Sequence, residues 1–433
     1  MDHQYASDPT KSRWEVLARG TGQCANLGLA LLLLPVARTS IIAEAFGLAW
    51  EQLLWVHIWV GYATLLLFVV HALCWYKVYA ALHIFPEDVL EIPMYYPLNN
   101  QPKTNGRCSD DWTVPLATIT TFLSLVFLGV LSHNQVRRNH FEVFYYAHHF
   151  FVAVYAVALW HAASCWYLVV GSLVHAVADR MVRLHEAGRR WRVVALEPCF
   201  DGVVHLELAL RDGAFAFEAG QYCFLRVGRI SELEWHPFTL SGAPSDRRIQ
   251  FDIKAMGAEG TFAARLRRLA EDRVALESLD VAVEGPYGCA PFYDQYDAVL
   301  LVAGGIGVTP CHSIFRELYI RHDGPAVTLL WVARHRRCFE LFGATLRAAT
   351  NDDAFRLALY VDGEKPRDAW GEADVHQGIP FTHGRPDVKR AVADLAACSS
   401  PYVFVCGPPG LSAACAAAAL EHDAAFHSEV FAF

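Results

Sequence analysis

The sequence predicts a membrane α-helical bundle of about five spans, fused to a water-soluble module made of a small antiparallel β-barrel and an open parallel α/β sheet. Three observations predict it. Apolar stretches of membrane-crossing length crowd the residues before Arg180, short strands with turn punctuation follow, and from Asp297 onward strand-like runs alternate with helical ones. The averages agree. A mean hydropathy of +0.23 with 54% hydrophobic residues is high for a soluble globule, yet 19% charged residues exclude a chain buried in lipid throughout.

Five stretches can cross a hydrocarbon core about 30 Å thick: Thr21 to Ala43, Gln52 to Tyr76, Trp112 to Gln135, Val143 to about His161, and Ser164 to about Arg180. From Val143 to Ala178 there is no formal charge, which is room for two spans only if the chain reverses tightly around Ala162-Ala163-Ser164. Arg137 and Arg138 follow the third span, and Arg180, Arg183, Arg189, Arg190 and Arg192 follow the fifth, so both regions are expected in the cytosol. Residues 77–111 are then outside. The first 20 residues are polar and mixed in charge, unlike a cleaved leader, so the first span is expected to act as the anchor.

Twelve cysteines form no Cys-x-x-Cys pair, so no zinc spacing is present; Cys108 and Cys165 are both expected on the outer side, where a disulfide is open to them. A net charge of −9 argues against nucleic-acid binding.

Two histidine pairs stand out inside the apolar stretches: His57 and His71 in the second, His148 and His161 in the fourth. Imidazole is costly in hydrocarbon and is an axial ligand of haem iron, so the two pairs point to two haems stacked across the bilayer. The spacing of 14 in the first pair returns to one helix face, whereas 13 in the second leaves the rings roughly 140° apart on an ideal helix, so that span must bend or bulge. Spacing alone leaves His148 and His149 both open as the first member of that pair.

In the soluble half, Trp191 to Cys199, Val203 to Leu210, Gln221 to Val227 and Arg247 to Met256 read as barrel strands. Ala298 to Ala303, Ala326 to Ala333, Phe355 to Val361 and Tyr402 to Val405 read as parallel strands, separated by helices over Thr309 to Arg321, Phe339 to Thr350 and Pro386 to Ala397. The expected domains are residues 1–185, 186–293 and 294–433. The strand entering Gly304, Gly305 and Gly307 and the helix start at Thr309-Pro310 form a turn on which a pyrophosphate can meet backbone amides. The next strand ends at Arg334, with Arg336 and Arg337 beyond, where a guanidinium can hold the 2′-phosphate of NADPH.

His236-Pro-Phe-Thr-Leu-Ser241 resembles the flavin motif of the ferric reductase and NADPH oxidase superfamily, while Gly304-Gly-Ile-Gly-Val-Thr-Pro310 and Cys406-Gly-Pro-Pro409 resemble its pyridine-nucleotide motifs. Phe141 to His149 is similar to the haem-helix signature of that group, in which the first histidine of the doublet is the ligand. The resemblance covers nearly the whole chain and implies a ferredoxin-NADP reductase-like module facing the cytosol, FAD, NADPH and two b-type haems. It implies His57 and His148 on the inner haem and His71 and His161 on the outer. Pro237, Phe238 and Thr239 would contact the isoalloxazine and ribityl chain, Gly260 and Thr261 the FAD diphosphate, and Gly384-Arg385-Pro386 the nicotinamide nucleotide, beside the motif residues His236, Ser241, Cys406, Gly407 and Pro408. Glu429-Val-Phe-Ala-Phe433 is similar to the family's C-terminal ending, whose last ring shields the flavin.

The acceptor divides the family. Its oxidases reduce O2 in a capped cavity over the outer haem, furnished with an arginine, which Arg38 resembles, and a histidine, whose position here is Trp75. With few residues joining spans four and five, the roof looks absent, and an open outer haem suits a ferric chelate; reduction of O2 to superoxide is the alternative. A plasma-membrane or endomembrane location follows from the spans. Outside this family the residues also read as a transporter whose histidines relay protons above a nucleotide-sensing domain, or as a reductase with a haem-free anchor.

Overall fold

The computed structural model describes residues 12–38, 50–81, 123, 125–139, 141–161, 163–257, 259–288, 293–364, 373–396, 398 and 400–429, which fall into two compact units, 1–182 and 183–433.

The first unit is helical. Helix α1 (Arg13–Leu33) starts at Ser12, whose Oγ accepts from the amide of Glu15 at 3.1 Å. It ends two residues before Pro35, which cannot continue it; residues 39–43 of the expected span lie outside the described residues. Helix α2 (Trp50–Ala81) runs antiparallel to α1: Ala18 lies against His71, Leu32 against His57 and Val36 against Trp50. Small residues permit this approach, since a Cβ on Gly28 would collide with Thr64 Oγ1. Trp55 and Leu66, each 64% exposed, turn apolar surface outward, the inverse of a water-soluble helix. Of the third expected span, the described part is helical over 125–131 and continues as α3 (Asn134–Asn139).

The fourth expected span is two helices, α4 (Phe141–His148) and α5 (Phe151–His161). Between them the backbone tightens to three-residue hydrogen bonds, His149 N to Tyr146 O at 3.2 Å, Phe150 N to Ala147 O at 3.1 Å and Val152 N to His149 O at 3.1 Å. Each such step turns about 120° rather than about 100°, so a run of about five recovers roughly 100° of the roughly 140° by which a regular helix misaligns residues 148 and 161. Helix α6 (Ala163–Ala187) follows after one residue and continues past the expected end at Arg180. By length and composition, Leu53–Val78 and Ser164–Ala187 are the two described helices able to cross a bilayer. Cys165 is a free thiol donating to Asn26 Oδ1 at 2.9 Å, and Cys108 lies outside the described residues.

The second unit opens with a barrel of two three-stranded antiparallel sheets. One orders β1 (Trp191–Pro198), β2 (Val203–Leu210) and β5 (Ile249–Lys254); the other orders β4 (His236–Thr239), β3 (Tyr222–Val227) and β6 (Val281–Tyr287). Alternate residues Leu206, Leu208, Leu225, Phe251 and Ile253 fill the interior, and α7 (Phe262–Glu271) closes one end through Phe262 and Leu266. Full burial of each such side chain contributes roughly 1.5–3 kcal/mol.

The α/β layer has seven strands in the order β10 (Ala373–His376), β11 (Ile379–His383), β9 (Phe355–Val361), β8 (Ala326–Ala333), β7 (Ala298–Gly304), β12 (Pro401–Cys406) and β13 (Ala425–Glu429), parallel except for the β10–β11 hairpin. Helices α8 (Val308–Arg321), α9 (Gly343–Ala349), α10 (Val388–Leu395) and α11 (Pro409–Glu421) cover it. From β7 the chain proceeds outward to β8 and β9, then returns to lay β12 on β7's other side. The strand order therefore reverses between β7 and β12, the place where open α/β sheets bind ligands.

Candidate functional site

The carboxyl ends of β7 and β12 bring the two glycine motifs into contact. A Cβ on Gly304 would meet Pro408 Cδ at 2.5 Å, and one on Gly307 would collide with the Cys406 carbonyl oxygen. Gly305 sits at φ +59°, where a side chain is strained, and its carbonyl accepts from Trp331 Nε1 at 2.9 Å. Gly307 caps α8 without a side-chain bond, leaving the first-turn amides to a ligand; Thr309 bonds back to the Ile306 carbonyl at 3.2 Å, and Pro310 lies in the first turn.

The same sheet edge carries Arg334 after β8, Asp362 after β9 and Gly384 after β11. The three arginines of the 334–337 stretch diverge. Arg336 is bound to Glu364 at 2.6 Å and faces Asp374 at 3.6 Å, and the guanidinium of Arg337 lies 4.5 Å over the Phe200 ring. Arg334 is exposed, and among the described residues no carboxylate pairs with it. Gly384, at φ +116°, donates to the Val361 carbonyl at 2.9 Å, and Arg385, largely exposed, reaches Asp362 at 3.3 Å ahead of Pro386.

In the barrel, β4 presents His236, Pro237 and Phe238 half-buried, with Thr239 buried and paired to Tyr222. The His236 ring lies 4.4 Å from Phe262; burial holds this imidazole below its ordinary value against the opposing carboxylate of Glu234. Thr261 caps α7 by accepting from Ala264 N at 3.3 Å, and nothing lies within 4 Å of where a Cβ on Gly260 would stand. Open space before a capped helix N-terminus, beside a half-buried aromatic strand, fits a diphosphate joined to a flat ring system. Ser241 is fully buried, its hydroxyl donating to Asp252 at 2.5 Å.

In the helical unit the rings of His57 and His148 have centroids 6.1 Å apart. Two metal–imidazole bonds of about 2 Å each, plus two ring radii, span roughly that distance. His57 donates Nδ1–H to the Leu32 carbonyl at 3.0 Å, and His148 Nδ1 meets Ser132 Oγ at 3.0 Å. Such bonds orient imidazoles that coordinate metal through Nε2. His71 donates Nδ1–H to the Ala18 carbonyl at 2.7 Å; His161 ends α5, its side chain outside the description. His149 instead bonds to its own helix, at the Tyr145 carbonyl 2.7 Å away.

Arg38 and Trp75 are not together. Arg38 lies 5.3 Å over Trp50, which is 25 residues and so roughly 37 Å along α2 from Trp75. The antiparallel course of α1 puts a different cation at that end: Arg19 lies 5.5 Å over the Trp75 ring, which is 6.4 Å from the His71 ring, and is itself held by Glu15 at 2.9 Å. Sequence order hides this pairing, although Arg19 is the last basic residue before the first apolar stretch. Ser132, Asp252 and Asp246 also carry no motif signal. Phe433 lies outside the described residues.

Three family descriptions match the chain in the order of its architecture: ferric reductase like transmembrane component over residues 21–159, FAD-binding domain over 188–291, and ferric reductase NAD binding domain over 296–420. Ferric reduction oxidase 2 of Arabidopsis thaliana is 27% identical over 310 residues, covering 71% of this chain and 40% of that protein. A superoxide-generating NADPH oxidase heavy chain of Dictyostelium discoideum is 25% identical over 340 residues, covering 67% and 48%. The chain thus spans less than half the length of these relatives. Among solved structures, a cytochrome P450 reductase of Amycolatopsis aligns with a TM-score of 0.43 and 22% identity over 56% of this chain and 69% of that one. A ferric reductase-like transmembrane component joined to an FAD-binding domain and a ferric reductase NAD binding domain defines the membership: the chain belongs to the ferric reductase and NADPH oxidase superfamily.

Proposed function

We propose that the chain is an NADPH-dependent transmembrane oxidoreductase that passes electrons through FAD and two b-type haems to an acceptor on the opposite side of the membrane. The observation that carries this reading is the 6.1 Å approach of His57 and His148, each with Nδ1 engaged by a neighbouring helix or turn. In this reading residues 1–185 hold the haems, His57 with His148 on the inner side and His71 with His161 on the outer. Residues 186–293 hold FAD and 294–433 hold NADPH, both in the cytosol, a side supported by the basic residues that follow α6.

The bound flavin supplies the conversion of a two-electron hydride into single-electron transfers, and the rest is positioning by the chain. Gly304, Gly305 and Gly307 let backbone amides reach the pyrophosphate; Arg334 holds the 2′-phosphate; Gly384 and Arg385 border the nicotinamide end. His236, Pro237, Phe238 and Thr239 flank the ring system of FAD, and Gly260 and Thr261 receive its diphosphate. Phe433 shields the flavin until nicotinamide displaces it.

Ferric chelate is the favoured acceptor, a preference supported by the link between α5 and α6, which is one residue long and so too short to cover the outer haem itself. One observation favours O2 instead: Arg19, beside Trp75 and next to the His71 end, supplies a positive charge for a small anion such as superoxide. A reduced-minus-oxidised spectrum tests the haems, two per chain being expected. NADPH-driven turnover with ferric chelate, in air and under argon and with superoxide dismutase, tests the acceptor. Chelate reduction that vanishes without oxygen and yields to dismutase would reassign the product as superoxide.

A further inference from the structure

Helix α8 begins at the nucleotide turn and, one turn later, meets the loop that leaves the flavin-motif strand β4. Four residues on one stripe of α8 make the junction. His312 donates Nδ1–H to the Ser241 carbonyl at 2.7 Å, and Ser313 Oγ donates to the Gly242 carbonyl at 2.6 Å. Arg316 forks onto Asp246, Nε to Oδ2 at 2.9 Å and Nη2 to Oδ1 at 2.8 Å, and Glu317 accepts from Ser245 Oγ at 2.9 Å. Thr345 of α9 backs the stripe: its Oγ1 donates to His312 Nε2 at 3.1 Å and accepts from Arg316 Nη1 at 3.2 Å. Phe342 stacks on the His312 ring at 3.7 Å.

The loop is pinned from its other side as well. The Ser241 hydroxyl donates to Asp252 on β5, and Asp252 accepts from His205 on β2 at 2.8 Å. His312, Ser313, Ser241 and Ala243 are all buried. A bidentate guanidinium–carboxylate pair and buried, mutually satisfied hydrogen bonds fix orientation as well as distance. His312 lies three positions after Thr309, and Ser241 two positions after Thr239, so the rigid path from nucleotide turn to flavin strand is short.

We infer that His312, Ser313 and Arg316, with Asp246 as the partner of Arg316, are positioning residues that set the approach of the nicotinamide to the flavin, locking the nucleotide turn to the flavin strand through 241–246. The inference rests on the reading of the module as an NADPH–FAD hydride-transfer site. Glue between subdomains with no such role would alter stability alone. Positioning alters the hydride step at unchanged nucleotide affinity, because a displacement near 1 Å costs up to about 100-fold in rate.

The test uses the full-length, detergent-solubilised chain with FAD. In Arg316→Ala, anaerobic flavin reduction at saturating NADPH should slow by about 10–100-fold, with a growing isotope effect from deuterated NADPH and a Kd for NADPH within about twofold of wild type. Arg316→Lys, which keeps one charged bond, should fall between, and the exchanged pair Asp246→Arg with Arg316→Asp should recover part of the rate. In flavin-free protein, amide hydrogen exchange over 241–246 should quicken in Arg316→Ala, a readout independent of turnover. Should Arg316→Ala not fold, Ser313→Ala and Arg316→Lys carry the same comparison. A wild-type rate in these variants, or a rise in Kd that accounts for the whole loss, overturns the clamp while wild type still reduces its flavin. Failure of wild-type protein to reduce bound FAD with NADPH overturns the site reading and the clamp with it.

Discussion

His57 in the helical unit and His312 in the soluble unit are built alike at one nitrogen and differently at the other. Both donate Nδ1–H to a backbone carbonyl of another part of the chain packed beside them, Leu32 at 3.0 Å and Ser241 at 2.7 Å. The second nitrogen of His312 is spent on Thr345, and a phenyl ring covers its face. His57 instead looks across 6.1 Å to a second imidazole. The carbonyl bond fixes which nitrogen keeps its lone pair, and the neighbour of that lone pair decides between a structural part and a ligand.

The comparison breaks first at His57. His57→Ala or His148→Ala should remove one haem of two from the absorption spectrum and stop electron exit, with NADPH-to-FAD reduction intact. Unchanged haem content in both variants would make these histidines as structural as His312. Next in size is Arg334, exposed and without a carboxylate partner among the described residues, while Arg336 is bound internally. Arg334→Ala should weaken kcat/KM for NADPH by about 1.5–3 kcal/mol, the range for hydrogen bonds to charged groups, with little change for NADH. Equal losses for both nucleotides would remove Arg334 from the 2′-phosphate.

His312 sharpens the comparison through pH. Burial, chiefly, pushes its imidazole down to about 4 from an ordinary value near 6.5. The unfolded chain therefore takes up a proton in that window and the folded one does not. Stability is full above pH 6.5 and falls as pH drops toward 4, on the order of 1 kcal/mol per unit at most. The temperature of flavin release should track that slope, and His312→Gln should flatten it; an unchanged slope would assign it to other groups. The smallest effect belongs to the far end of α2. Trp75→His should raise the dismutase-sensitive share of electron flow a few-fold, and Arg19→Ala should lower it by a similar factor, about 1 kcal/mol for a charge at an aromatic face. Shares that stay fixed in both would leave Trp75 and Arg19 as packing at the membrane edge.

Legibility follows the range over which each signal acts. Strands β8 and β9 match the sequence expectation to the residue, because each is rich in Leu, Val and aromatic residues and ends sharply at a charge, Arg334 and Asp362. The four-residue strand β4 contains a proline, the edge strands β10 and β13 are polar, and α11 is alanine-rich without periodicity, so none reads as an element. The bend between α4 and α5 is legible as arithmetic, since 13 residues cannot align two histidines on a regular helix. Arg38 is misplaced by the sequence because linear order does not state which helix ends meet; α1 runs back along α2 and exchanges Arg38 for Arg19 at Trp75. The clamp is invisible: His312 and Ser241 lie 71 residues apart, and polar stripes on a partly apolar helix carry no period of their own.

The contact between Gly307 and Cys406 also bears on inheritance. Any side chain at position 307 would collide with the Cys406 carbonyl, and any at 304 with the ring of Pro408. Motifs lying in the 304–310 and 406–409 stretches, far apart in the chain, are thus one steric object, and neither can drift without the other. For lineage change they form a single character, and for protein engineering a single graft. A nucleotide-binding turn transplanted from a relative should work only when both halves are carried across together.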